Sequence, residues 1–376
     1  MNLMGTNSYK LVSEEDFPKD KQCYYYSILC SRDLKSIQIL NDICSRLSLG
    51  DQKINFQENE EISIASVEKK FHLILKKIDP SIHLLIYFNL SNVSIKEKLE
   101  SIIARIKYIT FGWMAPEDLG KFENYSSDFD IIKLYTSYDP YYLLKRSKIQ
   151  PELQDRYQDR WYKPRAIEVN IKTSKIDAHD VLSKLLKKKI TETVKLSFNA
   201  KFSNPGEASI IVDQDAKVIH ERGELQATEK IVSDVVQKTQ EKLKDYSRYS
   251  TFREYTKLDD GSFDLSNYSP TQPFYYSFEF PDDINEFSVK LENLLTISRK
   301  NLQIYGTRLE RNGRDFSCLT YIPVDRSELR LTFCEDDGTP QLVVDPLHTT
   351  PLGILTLTKT LSEKMTWSTR LSGFYD

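Results

Sequence analysis

The chain has 376 residues, with 52 Lys and Arg against 55 Asp and Glu and a formal net charge of −3. Its 40% hydrophobic and 28% charged residues are enough to bury a sizeable core, which excludes wholesale disorder, and 12 Gly with 14 Pro exclude a collagen-like or low-complexity chain. A length of this kind corresponds to about two or three domains.

The longest apolar run, Ile82 to Phe88, is interrupted by His83 and falls far short of the ~20 residues of a membrane-spanning helix. The first residues, MNLMGTNSYKLVSEEDF, are polar and acidic without the apolar core of a signal peptide. Cys23, Cys30, Cys44, Cys318 and Cys334 are odd in number and scattered, which argues against a disulfide framework. The expectation is a cytoplasmic protein that does not engage a membrane.

In chain order, Tyr24–Cys30 is aromatic and β-prone and predicts a strand. Ile37, Leu40, Cys44 and Leu47 follow at helical spacing, with Gly50 placed to end the helix. Ile64, Val67, Phe71, Ile74 and Ile78 suggest a second helix, and His83–Leu90 a strand covered on both faces. Ile95, Leu99, Ile102, Ile103 and Ile106 form the clearest helical stripe, opened by a capping box from Ser94 to Glu97. A strand at Asp130–Thr136 completes an alternating pattern, so residues 20–140 are expected to form a small, mostly parallel, Rossmann-like α/β domain.

Residues 141–165 have no clean period and read as a basic aromatic linker. Beyond it, strands are expected at Ile167–Ile171, Thr193–Phe202, Ala208–Val212 and Lys217–His220, with a short helix near Val181–Leu186 and a longer one over Thr228–Tyr246. After the polar stretch 258–271 come a strand at Phe274–Phe280 and a helix over Asp282–Leu295. Four strands between Leu302 and Val344, a helix over Leu352–Met365 and a last strand close the chain. Residues 166–376 are therefore expected to be an α+β domain with antiparallel hairpins, with 258–271 as the candidate point of a further division.

Chemistry is sparse. No phosphate-binding glycine loop, G-x-S-x-G elbow, paired C-x-x-C or H-E-x-x-H occurs, and the His residues at 72, 83, 179, 220 and 348 make no ligand pair. No metal site and no cofactor are expected. Glu207 with Asp215-Ala216-Lys217 resembles the half-motif of the PD-(D/E)xK nucleases; that resemblance implies Mg²⁺ held by carboxylates and a Lys that positions water. The same residues also read as a turn between two strands. Ile86–Leu90 is similar to the RNP2 stretch of RNA-recognition motifs, without an RNP1 partner, and reads equally as a buried strand.

In a parallel α/β sheet, anions bind at strand ends beside helix N-termini. Ser31, Arg32, Asn89, Ser91 and Ser94 occupy such positions in the expected order, an arrangement similar to the Rossmann-like sensor domains of CRISPR-associated proteins. That resemblance implies a nucleotide-sensing regulatory protein; plain helix capping by Ser94 is the other reading.

The strongest signal is charge asymmetry. Residues 145–201 hold 15 basic and 7 acidic side chains, between flanks at −3 and −8. Lys145, Arg146, Lys148, Arg156, Arg160, Lys163 and Arg165 are interleaved with Tyr157 and Trp161, and Lys187, Lys188 and Lys189 follow. Cations that neutralise phosphates beside aromatic faces that stack on bases suit single-stranded nucleic acid. The sequence thus favours a non-catalytic nucleic-acid-binding protein, an accessory subunit beside another protein in a nucleic-acid-handling or defence complex. A metal-dependent nuclease and a nucleotide sensor are the alternatives.

Overall fold

A computed structural model describes residues 22–47, 54–58, 62–67, 71–89, 95–127, 130–138, 167–175, 191–204, 206–251, 273–278, 303–304, 310–312, 315–336, 339–364 and 369–373. The chain divides into two compact units, Met1–Thr239 and Gln240–Asp376.

In the first unit the described elements are β1 (Cys23–Cys30), α1 (Ser36–Arg46), β2 (Asn55–Glu58), β3 (Ile62–Val67), β4 (Phe71–Lys77), β5 (Ile82–Asn89), α2 (Lys96–Ile103), β6 (Ile109–Phe111), α3 (Pro116–Gly120), a 3-10 turn (Lys121–Tyr125), β7 (Ile131–Tyr138), β8 (Ile167–Ser174), β9 (Thr191–Lys201), β10 (Glu207–Asp213), β11 (Lys217–Gly223) and the start of α4 (Leu225–Ser247). All strands join one 11-stranded sheet in the order β2-β3-β4-β5-β1-β11-β10-β9-β7-β8, with β6 beside β1.

Every described pairing in this sheet is antiparallel. The expected parallel, Rossmann-like α/β domain is therefore corrected. The error starts at Ile64–Ile78, where the residues expected to form one helix make β3 and β4, paired Val67 to Phe71 through Ile62 to Lys76. Five apolar residues at helical spacing concealed a second set at spacing two, because Ile64 and Ile74 lie on one face of these strands and Ala65 and Leu73 on the other, all buried. A strand buried on both faces satisfies either period, and its β-branched residues favour the strand. Without that helix there is no crossover to return the chain in parallel.

The sheet also spans residues 141–165, since β7 before that segment pairs with β8 and β9 after it. The linker residues themselves lie outside the described set, and the division between compact units falls later, within α4.

Helices cover the two faces at opposite ends of the strand order. On the first face α1 and α2 pack over β1 and β3–β6. Ile39, Leu40, Ile43 and Cys44 of α1 and Leu99, Ile102 and Ile103 of α2 join Tyr24, Tyr26, Ile28, Leu73, Leu85 and Tyr87 in one core. Of the stripe expected for α2, Leu99, Ile102, Ile103 and Ile106 are buried and Ile95 is half-buried against the same core. On the second face, over β9–β11, lie α3, the 3-10 turn and α4. There Phe122 meets Phe198 with ring centres 6.5 Å apart, Thr228 Oγ1 is 2.8 Å from His220 Nδ1, and the Tyr125 hydroxyl donates to Asp234.

β11 and β6 meet end to end on the same side of β1. Tyr26 pairs with Lys217 and Ile28 with Phe111, and Gly112 N–H donates to Ser27 O at 2.8 Å. Ala216 stands there in the left-handed region (φ 52°). A Cβ on Gly112 would lie 2.9 Å from the Ala216 Cβ and 3.2 Å from Ser27 Oγ. Gly112→Ala should therefore overpack the junction and cost about 1–3 kcal/mol, read as a lowered urea midpoint. Adding Ala216→Gly removes both the clash and the strained backbone and should restore most of the loss; no recovery would mean that the two residues do not compete for the same space.

The second unit contains the end of α4, then β12 (Phe274–Phe278), β13 (Gln303–Ile304), β14 (Glu310–Asn312), β15 (Asp315–Ile322), β16 (Ser327–Asp336), β17 (Thr339–His348), α5 (Pro351–Lys364) and β18 (Thr369–Gly373). Its seven strands form an antiparallel sheet, β13-β15-β16-β17-β12-β18, with β14 beside β15. Phe274, Tyr276, Leu329, Leu331, Phe333, Leu342 and Val344 pack with Ile354, Leu357 and Leu361 of α5. Thr350 caps α5 by accepting the Gly353 N–H at 3.2 Å, and its own hydroxyl donates to the half-buried Asp325 carboxylate. Gly353 is required by this close approach, because a Cβ there would fall within 2.8 Å of Asp325 and closer still to Ser327.

Candidate nucleic-acid interface

The two faces of β9 differ. Leu196, Phe198 and Ala200 are buried under α3 and the 3-10 turn, whereas on the other face Lys195 and Asn199 are half-exposed and the small Ser197 between them is buried. That other face is the one α1 and α2 cover further along the sheet, and no described helix covers it over β7–β10. One cross-strand row shows the change of character. It runs Lys172, Lys133, Ser197, Ile211, Ile219, Tyr24 and Tyr87 through β8, β7, β9, β10, β11, β1 and β5, polar at the open end and apolar beneath the helices. The next row runs Tyr135, Lys195, Asp213, Lys217 and Tyr26.

Lys133 and Lys172 thus stand directly opposite each other and are both exposed. Lys195 is diagonal to Lys133 and opposite Tyr135; register neighbours of this kind are about 5–8 Å apart. None of the three lysines has an ion-pair partner among the described residues. Asp213, the acid nearest in register to Lys195, is held by Lys217 instead.

Lys217 closes the open face. Its ammonium lies 3.1 Å from Asp213 Oδ2 and 3.0 Å from Glu100 Oε1 of α2, and the Tyr26 hydroxyl donates to the same Glu100 oxygen at 3.1 Å. Asp213 Oδ1 also accepts the N–H groups of Asp215 at 3.1 Å and Lys217 at 3.2 Å, which fixes the turn. Lys217 and Asp213 are 8% and 4% exposed. Burial pulls the Lys217 ammonium down, but Asp213 and Glu100 outweigh it and its pKa is raised. Burial and the Glu100 carboxylate push the Tyr26 phenol up.

The structure does not bring together the residues of the nuclease half-motif. Glu207 is exposed at the far end of the β10–β11 hairpin, where its carbonyl accepts the Glu224 N–H. Six positions of β11 separate that end from Lys217, roughly 20 Å at the usual rise of a strand. Asp215 is half-exposed in the turn, and Lys217 is already bonded to two other acids. Among the described residues no group of His, Cys, Asp and Glu is arranged to hold a metal ion.

The expected anion site is also rearranged. Ser31 N–H and Oγ both donate to the Tyr108 carbonyl, at 3.0 and 3.3 Å, and Arg32 lies over the Tyr108 ring at 5.1 Å. The Asn89 side chain, Ser91 and Ser94 lie outside what is described. So do Lys145, Arg146, Lys148, Arg156, Tyr157, Arg160, Trp161, Lys163, Arg165, Lys187, Lys188 and Lys189. Within the basic segment, Lys201 pairs with Asp130 at 2.9 Å and Lys175 donates to the Ser126 carbonyl at 2.9 Å, so these two anchor the sheet edge. Lys133 and Tyr135 lie before the segment and were missed. Their signal was the alternation in Ile131-Ile132-Lys133-Leu134-Tyr135, which marks a strand with one polar face.

No protein-family profile and no curated protein matches this chain. No described helix is long and apolar enough to cross a membrane.

Proposed function

We propose that the open face of β7–β9 binds single-stranded nucleic acid, with Lys133, Lys172 and Lys195 on phosphates and Tyr135 stacking on a base. The observation that supports this reading is the opposed pair Lys133–Lys172, which has no carboxylate partner among the described residues. Like charges directly opposite on a sheet destabilise it, and a polyanion laid across the strands turns that repulsion into attraction. Ser197 in the same row, between Lys133 and Ile211, leaves no bulky side chain in the path. An open sheet face presents a tyrosine ring to unpaired bases, as single-strand recognition requires.

The test is fluorescence anisotropy with labelled single-stranded RNA and DNA of one sequence over a series of salt concentrations. Lys133→Glu with Lys195→Glu should weaken binding and lower the log–log salt slope by about 0.7 for each lost phosphate contact. Tyr135→Ala should cost about 1–3 kcal/mol with the slope nearly unchanged. Absence of binding by the unaltered protein at low salt, or equal binding by the lysine variants, would exclude this face.

A further inference from the structure

The sheet of the first unit ends differently at its two edges. β2 is short, with four residues that are all exposed, one of the ways proteins blunt an edge. β8 has eight residues, IEVNIKTS, in which Ile167, Val169, Ile171 and Thr173 alternate with Glu168, Asn170, Lys172 and Ser174. It is the last strand in the order, and its described strand pairing is with β7. A long alternating strand rich in β-branched residues is a template for a further strand.

The geometry points to a second copy of this chain as that strand, paired antiparallel through β8 about a two-fold axis at Asn170. An isologous pair of antiparallel strands needs an axis perpendicular to the sheet, so each residue opposes one of the same parity in its copy. With the axis at Asn170, Glu168 takes the register position opposite Lys172, twice. Val169 then stands opposite Ile171, and Ile167 opposite Thr173. No shifted axis does as well. At Ile171 it opposes Lys172 to Asn170 and Glu168 to Ser174, and at Lys172 it opposes two lysines. The sequence is self-complementary in charge at one register alone, and that register also keeps β-branched residues opposite one another on the other face. The two sheets then become one, and Lys133 and Lys195 of both copies stay on its open face. In the paired form Lys172 answers to Glu168 of the copy, so Lys133 and Lys195 are the lysines that remain for an anion on that face, and the pairing is tested without one.

The experiment uses the full chain, freed of nucleic acid, in sedimentation-velocity runs over a concentration series. The unaltered protein should dimerise. Lys172→Glu alone sets acid opposite acid, and Glu168→Lys alone sets base opposite base. Each should weaken self-association by about tenfold or more, because two favourable charge pairs become repulsive. An equimolar mixture of the two single variants restores opposite charges at both positions and should form a heterodimer, and the double variant Glu168→Lys/Lys172→Glu should dimerise by itself. Recovery on mixing also shows that each single variant is folded. A monomeric unaltered protein, a dimer indifferent to both single variants, or a loss that mixing does not restore would each overturn the proposal.

Discussion

Replacing Lys217 with Ala is expected to lower the stability of the first unit by about 3–5 kcal/mol, the usual cost of leaving one member of a buried ion pair without its partner. Asp213 would keep its two turn N–H donors but lose the ammonium at 3.1 Å, while only 4% exposed and unable to recruit much water. Glu100 would lose less, since its side chain is 28% exposed. Pairing Lys217→Met with Asp213→Asn should recover most of the loss, because the amide oxygen still accepts both N–H groups and no charge remains buried. Urea titration at constant m-value measures both effects. A loss below about 1 kcal/mol for Lys217→Ala would place the cluster with ordinary surface ion pairs instead.

The second large effect concerns pH. His83 on β5 is 0% exposed, and neither ring nitrogen has a well-formed hydrogen bond. Burial pushes its pKa down to about 4, and the Lys77 ammonium acts in the same direction, against the Leu34 backbone, Asp79 and Asp33. The unfolded chain therefore binds this proton more readily than the folded one. Stability attached to His83 is complete above the ordinary histidine value of 6.5 and is lost as the pH falls towards 4. The full loss is about 3 kcal/mol at 1.36 kcal/mol per pH unit. His83→Leu should remove that slope and, at neutral pH, equal or exceed the unaltered protein in stability, since two unmet ring nitrogens disappear. Chemical denaturation at several pH values gives the comparison, and identical slopes in the two proteins would show that some other group titrates.

Local order was legible in the sequence where a single period was present. The α2 stripe of Leu99, Ile102, Ile103 and Ile106 is buried as its spacing implies, and the tyrosine-rich strand at β1 and the helix after it stand where propensity puts them. Partnership was not legible. β1 bonds to β5, β6 and β11, and nothing in Cys23–Cys30 names any of them, because a strand buried on both faces carries no mark of orientation. The error at Ile64–Ile78 then fixed the wrong chain reversal and made the parallel sheet look natural. Lys217 drew attention for its neighbours in sequence, but its partner Glu100 is 117 residues away and looked like a solvated charge on a helix. The open face became visible only when Lys133 and Lys195, on either side of a composition boundary, were set on adjacent strands.

The central position of β1 has a further consequence during synthesis. Its lower half pairs with β11, roughly 190 residues downstream, so on a ribosome adding about 5–20 residues per second that edge waits some tens of seconds for its partner. Throughout that interval Cys23-Tyr24-Tyr25-Tyr26 offers a bare hydrogen-bonding edge to whatever nascent strand is nearby. Such long-range closure also makes the sheet a slow folder once released. Yield of folded protein should therefore depend on the pace of translation and on holding chaperones far more than on the stability of the finished sheet, and chains that terminate before β10 should be recovered as aggregate.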